Sequence, residues 1–270
     1  MARAAVPGRL IWRVATVDAT KDETATARTL VLDVPGWPGH LAGQHVDVKL
    51  TAEDGYSVER SYSIASAADG TRLELTVQRI ADGEVSPYLT GDLQPGDKLE
   101  LRGPIGGWFV WDPSSPAPVL LVAGGSGVVP LMAMIRANTN KVPVRLIYSV
   151  RSPADILYGP ELSERARVSP LTLTYLYTRA APAGMPVGRI NADVIAAADW
   201  PPDSSPRRMG GWLLARGAPA PRSPRPPPIS PRPAVFVCGP TGFVEAAANL
   251  LVAAGHDPAV VKTERFGPTS

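Results

Sequence analysis

The chain is poor in the residues that build metal sites and cross-links: its 270 residues include one cysteine, three histidines and 6% aromatic side chains. The lone Cys238 leaves no partner for an internal disulfide, and it cannot assemble a four-thiolate zinc or iron–sulfur site. His40, His45 and His256 show no metal-ligand spacing. Any redox chemistry must then run through a bound organic cofactor or a second protein. Long apolar runs are missing too. No stretch approaches the roughly 18 residues a spanning helix needs, so the chain reads as globular with no membrane insertion. The opening MARAAVPGRLIW breaks its apolar character at Pro7, Gly8 and Arg9, which argues against an export signal and for a cytoplasmic protein.

A surplus of one charge is also lacking. Of 27 basic and 25 acidic residues, six arginines and one aspartate fall between Asp203 and Pro233, which leaves 21 against 24 elsewhere. The basic pI of about 8.8 therefore belongs to one segment and does not argue for nucleic-acid binding. The same segment holds nine of the 30 prolines, and its few large apolar residues cannot offset the entropy of ordering. It reads as a disordered Pro/Arg-rich insertion at 203–233. The spacings Pro221 to Pro224 and Pro228 to Pro231 would suit a docking ligand, but any proline-rich tract reaches them by chance.

Length allows two domains, and the pattern changes near WDPSSPAP, residues 111–118. Before it, short runs such as LIWRVATV, ARTLVLDV, QHVDVKL, RSYSIAS, RLELTVQRI and DKLELRG alternate with period two between glycine, proline and aspartate. That pattern belongs to a small antiparallel barrel or sandwich. One helical stretch, EVSPYLTGDL, interrupts the series. After it come continuous apolar strands, PVLLVA, VRLIYSV, LTLTYLYT, AVFVCG and AVVKTERF, with helical segments GGSGVVPLMAMIRAN, NADVIAAA and TGFVEAAANLLVAAG. Buried strands alternating with helices predict a parallel α/β sheet. The division falls at 1–111 and 112–270.

Five motifs carry chemistry. Arg60-x-Tyr62-Ser63 sets a cation, an aromatic ring and a hydroxyl along one strand, with Arg60 and Tyr62 on the same side. Gly83-x-x-Ser86 opens a helix, where the N–H groups and dipole favour an anion and Ser86 would act as an N-cap. GGSGVVP follows a buried strand, but the third glycine of a dinucleotide fingerprint would fall at Pro130, which disfavours a Rossmann dehydrogenase. Cys238-Gly239-Pro240 ends another buried strand, and TERF closes the last one.

In this fixed order the motifs resemble the ferredoxin–NADP reductase family of flavoenzymes, over nearly the whole chain except 203–233. The resemblance implies a flavin-binding antiparallel β-barrel followed by an α/β parallel-sheet nucleotide-binding domain. It puts FAD on Arg60, Ser61, Tyr62 and Ser63, with Val77, Gln78 and Arg79 near the adenosine end and Gly83, Val85 and Ser86 at the pyrophosphate. FMN stays open, because adenine contacts in such proteins are few. It puts the nicotinamide dinucleotide's pyrophosphate on Gly124, Gly125, Ser126 and Gly127. Arg151, Thr178, Arg179 and Arg189 stand where a 2′-phosphate would be paired, which favours NADPH over NADH. Cys238, Gly239 and Pro240 would orient the nicotinamide, the thiol as a positioning group. Phe266 would stack on the isoalloxazine, with Glu264 at the nicotinamide and flavin edge. Ser63, Cys238, Glu264 and Phe266 thus form the expected catalytic set.

The implied activity is a flavin-dependent NADPH oxidoreductase that passes single electrons to a separate protein, a ferredoxin or an oxygenase component, the chain itself being monomeric. Two alternatives remain: a reductase of free flavin or small acceptors, and a non-catalytic flavin-binding protein with a sensing or interaction role.

Overall fold

The computed structural model describes residues 10–52, 54–198 and 233–267. The insertion expected at 203–233 lies, apart from Pro233, outside the described residues.

The first half is a six-stranded antiparallel sheet built from β1 (Trp12–Thr24), β2 (Ala27–Asp33), β3 (His45–Thr51), β4 (Ser57–Ser63), β5 (Arg72–Gln78) and β6 (Lys98–Ile105), in the order β4-β3-β6-β1-β2-β5. Alternation along these strands sends Leu30 and Leu32, Val46 and Val48, and Leu73, Leu75 and Val77 into one core, as a period-two side-chain pattern requires. The two edges of the curled sheet meet through an Ile64–Leu75 bridge and an Ala65 N–H bond to the Glu74 carbonyl at 2.8 Å. The sheet curls as the expected barrel would, but it is not closed by a ladder: among the described residues its edges touch only at this seam of a few residues. A short helix, α1 (Ser86–Gly91), plugs one end with Leu89.

The second half is a five-stranded parallel sheet. Its strands are β7 (Val119–Gly124), β8 (Val144–Val150), β9 (Leu171–Tyr177), β10 (Ala234–Pro240) and β11 (Val261–Phe266), ordered β11-β10-β7-β8-β9. Every residue of β7 is buried because both faces are covered. Val119, Leu121 and Ala123 pack with α2 (Val128–Ala137), while Leu120 and Val122 pack with α4 (Ala192–Ala198) and α5 (Thr241–Ala253). The chain runs outward from β7 to β9 and then restarts at β10 on the other side of β7. That reversal opens a crevice beyond the carboxyl ends of β7 and β10, where open α/β sheets bind ligands.

One helix escaped the sequence reading, α3 (Gly159–Val168). Its sequence GPELSERARV buries only Leu162, so it lacks the apolar stripe that marks an amphipathic helix. Its entry residue, Tyr158, is fully buried at φ 57°.

Candidate functional site

The two carboxyl strand ends are welded by glycines. A Cβ on Gly127 would lie 2.1 Å from the Cys238 carbonyl oxygen, and one on Gly124 would lie 2.6 Å from the Phe243 ring. Gly239 is equally confined, 2.8 Å from the same ring and 3.2 Å from the Gly124 backbone. Gly125 is different: it sits at φ +55° with nothing within 4 Å of a Cβ. The turn is thus closed behind by packing and open in front. Residues 125–127 form a single 3₁₀ turn leading into α2, and Val128, Val129 and Pro130 follow as buried helix.

In front of this turn lies a crevice of about 280 Å³. The sheet supplies Gly124, Gly125, Ser126, Ser149, Arg151, Thr178, Pro240, Phe243 and Phe266, and the barrel supplies Thr24, Thr26 and Gln78. Arg151 is held by Asp155 at 2.7 Å, and the Thr178 hydroxyl donates to the Val150 carbonyl at 3.3 Å. Arg179, exposed on the adjoining strand end, is anchored by its N–H to the Arg151 carbonyl at 2.9 Å. The segment with Arg189 returns to β9 through a Gly188 N–H bond to the Tyr177 carbonyl at 2.8 Å. Two cations and a hydroxyl therefore end neighbouring strands, with a third cation on the segment beside them.

The residues expected as the catalytic set converge at the boundary of the two halves. The Ser63 hydroxyl, at the end of β4, donates to the Glu264 carboxyl at 3.3 Å. Glu264 stands opposite Cys238 in the β10–β11 register, and Phe266 stands opposite Pro240. Burial raises the Glu264 pKa to about 7 against the lowering effect of the Ser63 bond. Burial, and next the Glu264 charge, push the Cys238 thiol well up. A buried thiol held protonated is a poor nucleophile. Phe266 keeps 38% of its surface exposed, so its ring is available for stacking.

The barrel's candidate residues sort by strand face. Arg60 and Tyr62 share a side of β4, and burial lifts the Tyr62 hydroxyl to about 12 with a smaller opposing effect of Arg60. Arg60 forms an ion pair with Glu84 at 2.9 Å, inside the Gly83–Ser86 segment, and Tyr56 donates to the same carboxyl at 3.2 Å. The two motifs expected at one pyrophosphate are thus adjacent. One expectation needs correction. Ser86 is not an N-cap: that position is Val85, without a side-chain bond, because the Ser86 hydroxyl instead accepts from the Ile80 N–H at 3.0 Å. Ser61 points to the other side of β4, donating to Asp47 at 2.6 Å, so it has only backbone to offer. Val77 and Val85 are buried in the barrel core and have the same limit. Arg79 lines an adjoining hollow with Arg28 and Thr90, which shares Thr24 and Thr26 with the crevice.

Comparison with known proteins agrees with this geometry. The family descriptions "Oxidoreductase FAD-binding domain" and "Oxidoreductase NAD-binding domain" match residues 14–110 and 121–209. The chain belongs to the ferredoxin–NADP reductase family. A ferredoxin–NADP reductase B of Sorangium cellulosum is 44% identical over 132 residues, 47% of this chain and 53% of that protein. A glycine betaine monooxygenase reductase subunit of Chromohalobacter salexigens is 32% identical over 234 residues, 84% of this chain and 56% of that protein. The chain spans about half the length of these curated relatives. The same fold is seen in the FAD/NAD-binding domain of nitric oxide dioxygenase from Vibrio cholerae, with a TM-score of 0.74 at 23% identity, covering 95% of this chain and 99% of that one.

Both cofactors of this reductase family fit the donor sets present. The open face of Gly125 leaves room for a phosphate, and Arg60, a forked donor, stands at the mouth of the Gly83–Ser86 segment. The sequence reading missed Glu84, Phe243 and Asp155. Phe243 alone had a local signal, three residues after Pro240 in CGPTGF.

Proposed function

We propose that this chain is an FAD-dependent NADPH oxidoreductase that feeds single electrons to a separate redox protein, residues 1–111 holding FAD and residues 112–270 the nicotinamide dinucleotide. When bound, the two cofactors supply hydride transfer and one-electron release, chemistry that no side chain here provides. The residues bind and orient. Arg60 would neutralise the flavin pyrophosphate, Tyr62 would hold the flavin, and Gly124 to Gly127 would offer backbone N–H groups to the second pyrophosphate. Arg151, Thr178 and Arg179 pair with a 2′-phosphate, the basis for choosing NADPH. Cys238 and Phe266 fix the ring planes, so the chain contributes mainly proximity. The Ser63–Glu264 pair, with a carboxyl poised near neutrality, can hold a proton at that edge.

The observation that carries this reading is the Ser63–Glu264 contact, which joins the barrel's cation-aromatic strand to the carboxyl end of the parallel sheet. The relatives' names, a ferredoxin–NADP reductase and a monooxygenase reductase subunit, support a ferredoxin or oxygenase component as acceptor. The protein loaded with FAD should bleach under anaerobic titration with NADPH at far lower concentration than with NADH. Adding a ferredoxin should speed cytochrome c reduction. A folded protein that takes up no flavin would overturn the proposal, and acceleration by free flavin alone would move the acceptor to a small molecule.

A further inference from the structure

The helix that follows the Gly125–Gly127 turn ends in a cation that reaches into the other domain. Arg136, in the last turn of α2, donates through one amino group to Glu74 at 2.8 Å and to the Ala65 carbonyl at 2.9 Å, both in the barrel. Through its other nitrogens it grips Glu161 of α3 at 3.0 and 2.6 Å. Its guanidinium carbon stands 5.2 Å from the centre of the Tyr158 ring. The side chain is only 15% exposed and Glu74 only 18%, so these bonds are shielded from the solvent that weakens surface pairs.

Ala65 lies two residues beyond Ser63, directly past the end of β4, and its N–H bonds the Glu74 carbonyl at 2.8 Å. Arg136 therefore holds the seam where the sheet's two edges meet, next to the flavin-side hydroxyl. At the opposite end of the same helix is the turn proposed to receive the nicotinamide pyrophosphate. Ten helical residues make a rod of about 15 Å. A second link runs in parallel: the Tyr158 hydroxyl donates to Thr76 at 2.5 Å, and the Tyr158 N–H to Glu23 at 3.2 Å.

We infer that Arg136 is a positioning residue, a part-buried interdomain tether that sets where the docked nicotinamide stands relative to the flavin edge at Ser63. The inference rests on the function proposed above. It separates two carboxylates that a purely structural role would treat alike. Glu74 belongs to the barrel and carries the tether. Glu161 belongs to the same domain as Arg136 and only orients the guanidinium.

The test uses the full chain with Glu74→Ala and Glu161→Ala, each checked by thermal melting, with Glu74→Gln in place of the first should that fail to fold. In anaerobic stopped flow with FAD bound, Glu74→Ala should slow flavin reduction at saturating NADPH about tenfold, since small misplacements are costly to hydride transfer. The NADPH dissociation constant should move less than twofold, and deuterium at nicotinamide C4 should give a larger isotope effect. Glu161→Ala should keep the rate within twofold. Hydrogen exchange on the flavin-free chain gives a readout that no cofactor enters: peptides covering 62–76 should exchange faster in Glu74→Ala than in Glu161→Ala. Wild-type rates in Glu74→Ala, or equal losses in both variants, would overturn the tether. Failure of wild-type flavin reduction would instead refute the proposed function, and the exchange comparison would still decide the tether.

Discussion

Ser63 and Glu264, 201 positions apart in the chain, share a hydrogen bond at 3.3 Å across the domain boundary. The contact makes the ionisation of Glu264 a property of the assembled site, because burial and not a local charge raises its pKa to about 7.

The first prediction follows from that shift. Glu264 ordinarily titrates near 4.5, so between pH 4.5 and 7 the unfolded chain has lost a proton that the folded one keeps. The unfolded state binds fewer protons there, so stability falls as pH rises through this window and levels off above it. The whole effect is on the order of 3 kcal/mol. Denaturant unfolding of the flavin-free protein at several pH values should show this decline, and Glu264→Gln should flatten it. A decline of equal size in the variant would assign it to other groups.

Gly127→Ala should damage both stability and nucleotide binding. Its Cβ would meet the Cys238 carbonyl at 2.1 Å, a backbone atom that cannot swing away, and forced overpacking costs about 1–3 kcal/mol. Gly91→Ala is the control, since nothing lies within 4 Å of that Cβ. The control should melt at or above the wild-type temperature, whereas Gly127→Ala should melt lower and bind NADPH at least tenfold more weakly.

Arg179→Ala tests cofactor choice. Arg151 is already paired with Asp155 at 2.7 Å, which leaves exposed Arg179 the more available cation for a 2′-phosphate. The variant should raise the NADPH dissociation constant about tenfold, the equivalent of about 1.4 kcal/mol, and leave that for NADH within twofold. Equal losses for both nucleotides would show that Arg179 reads something other than the 2′-phosphate.

The sheets and the glycine turns were legible because their causes are local. Period-two alternation marks an antiparallel strand, an all-apolar run marks a strand covered on both faces, and a glycine cluster straight after such a run marks a tight turn. Glu84, Arg136 and Tyr158 were not legible: their partners lie 24, 62 and 82 positions away, and nothing local singles them out. Helix α3 was hidden for the opposite reason, since it gives the core one leucine and shows the solvent a charged surface. Ser86 misled because Ser before a helix is a preferred cap, yet here the Ile80 N–H claims its hydroxyl.

The pair formed by Arg60 and Glu84 gives the last prediction. Arg60 is the forked cation proposed for the flavin pyrophosphate, yet its guanidinium is engaged by the Glu84 carboxylate at 2.9 Å, with both side chains about half exposed. A phosphate arriving there must displace that carboxylate or share Arg60 with it, and either way Glu84 opposes the incoming charge. Exposed pairs of this kind are worth at most about 1 kcal/mol, which sets the size of the effect. Glu84→Gln should therefore tighten FAD about threefold to fivefold, and the gain should shrink as salt screens the charge. Arg60→Ala should act in the opposite direction and more strongly, weakening FAD at least tenfold, because it removes charge-assisted bonds to a phosphate. Combining the two should give little gain from Glu84→Gln, since Glu84 acts chiefly by occupying Arg60. Flavin fluorescence titrations of the four proteins at two salt concentrations measure all of these quantities. A loss of affinity in Glu84→Gln alone would mean that the carboxylate steadies Arg60 for the cofactor instead of competing with it.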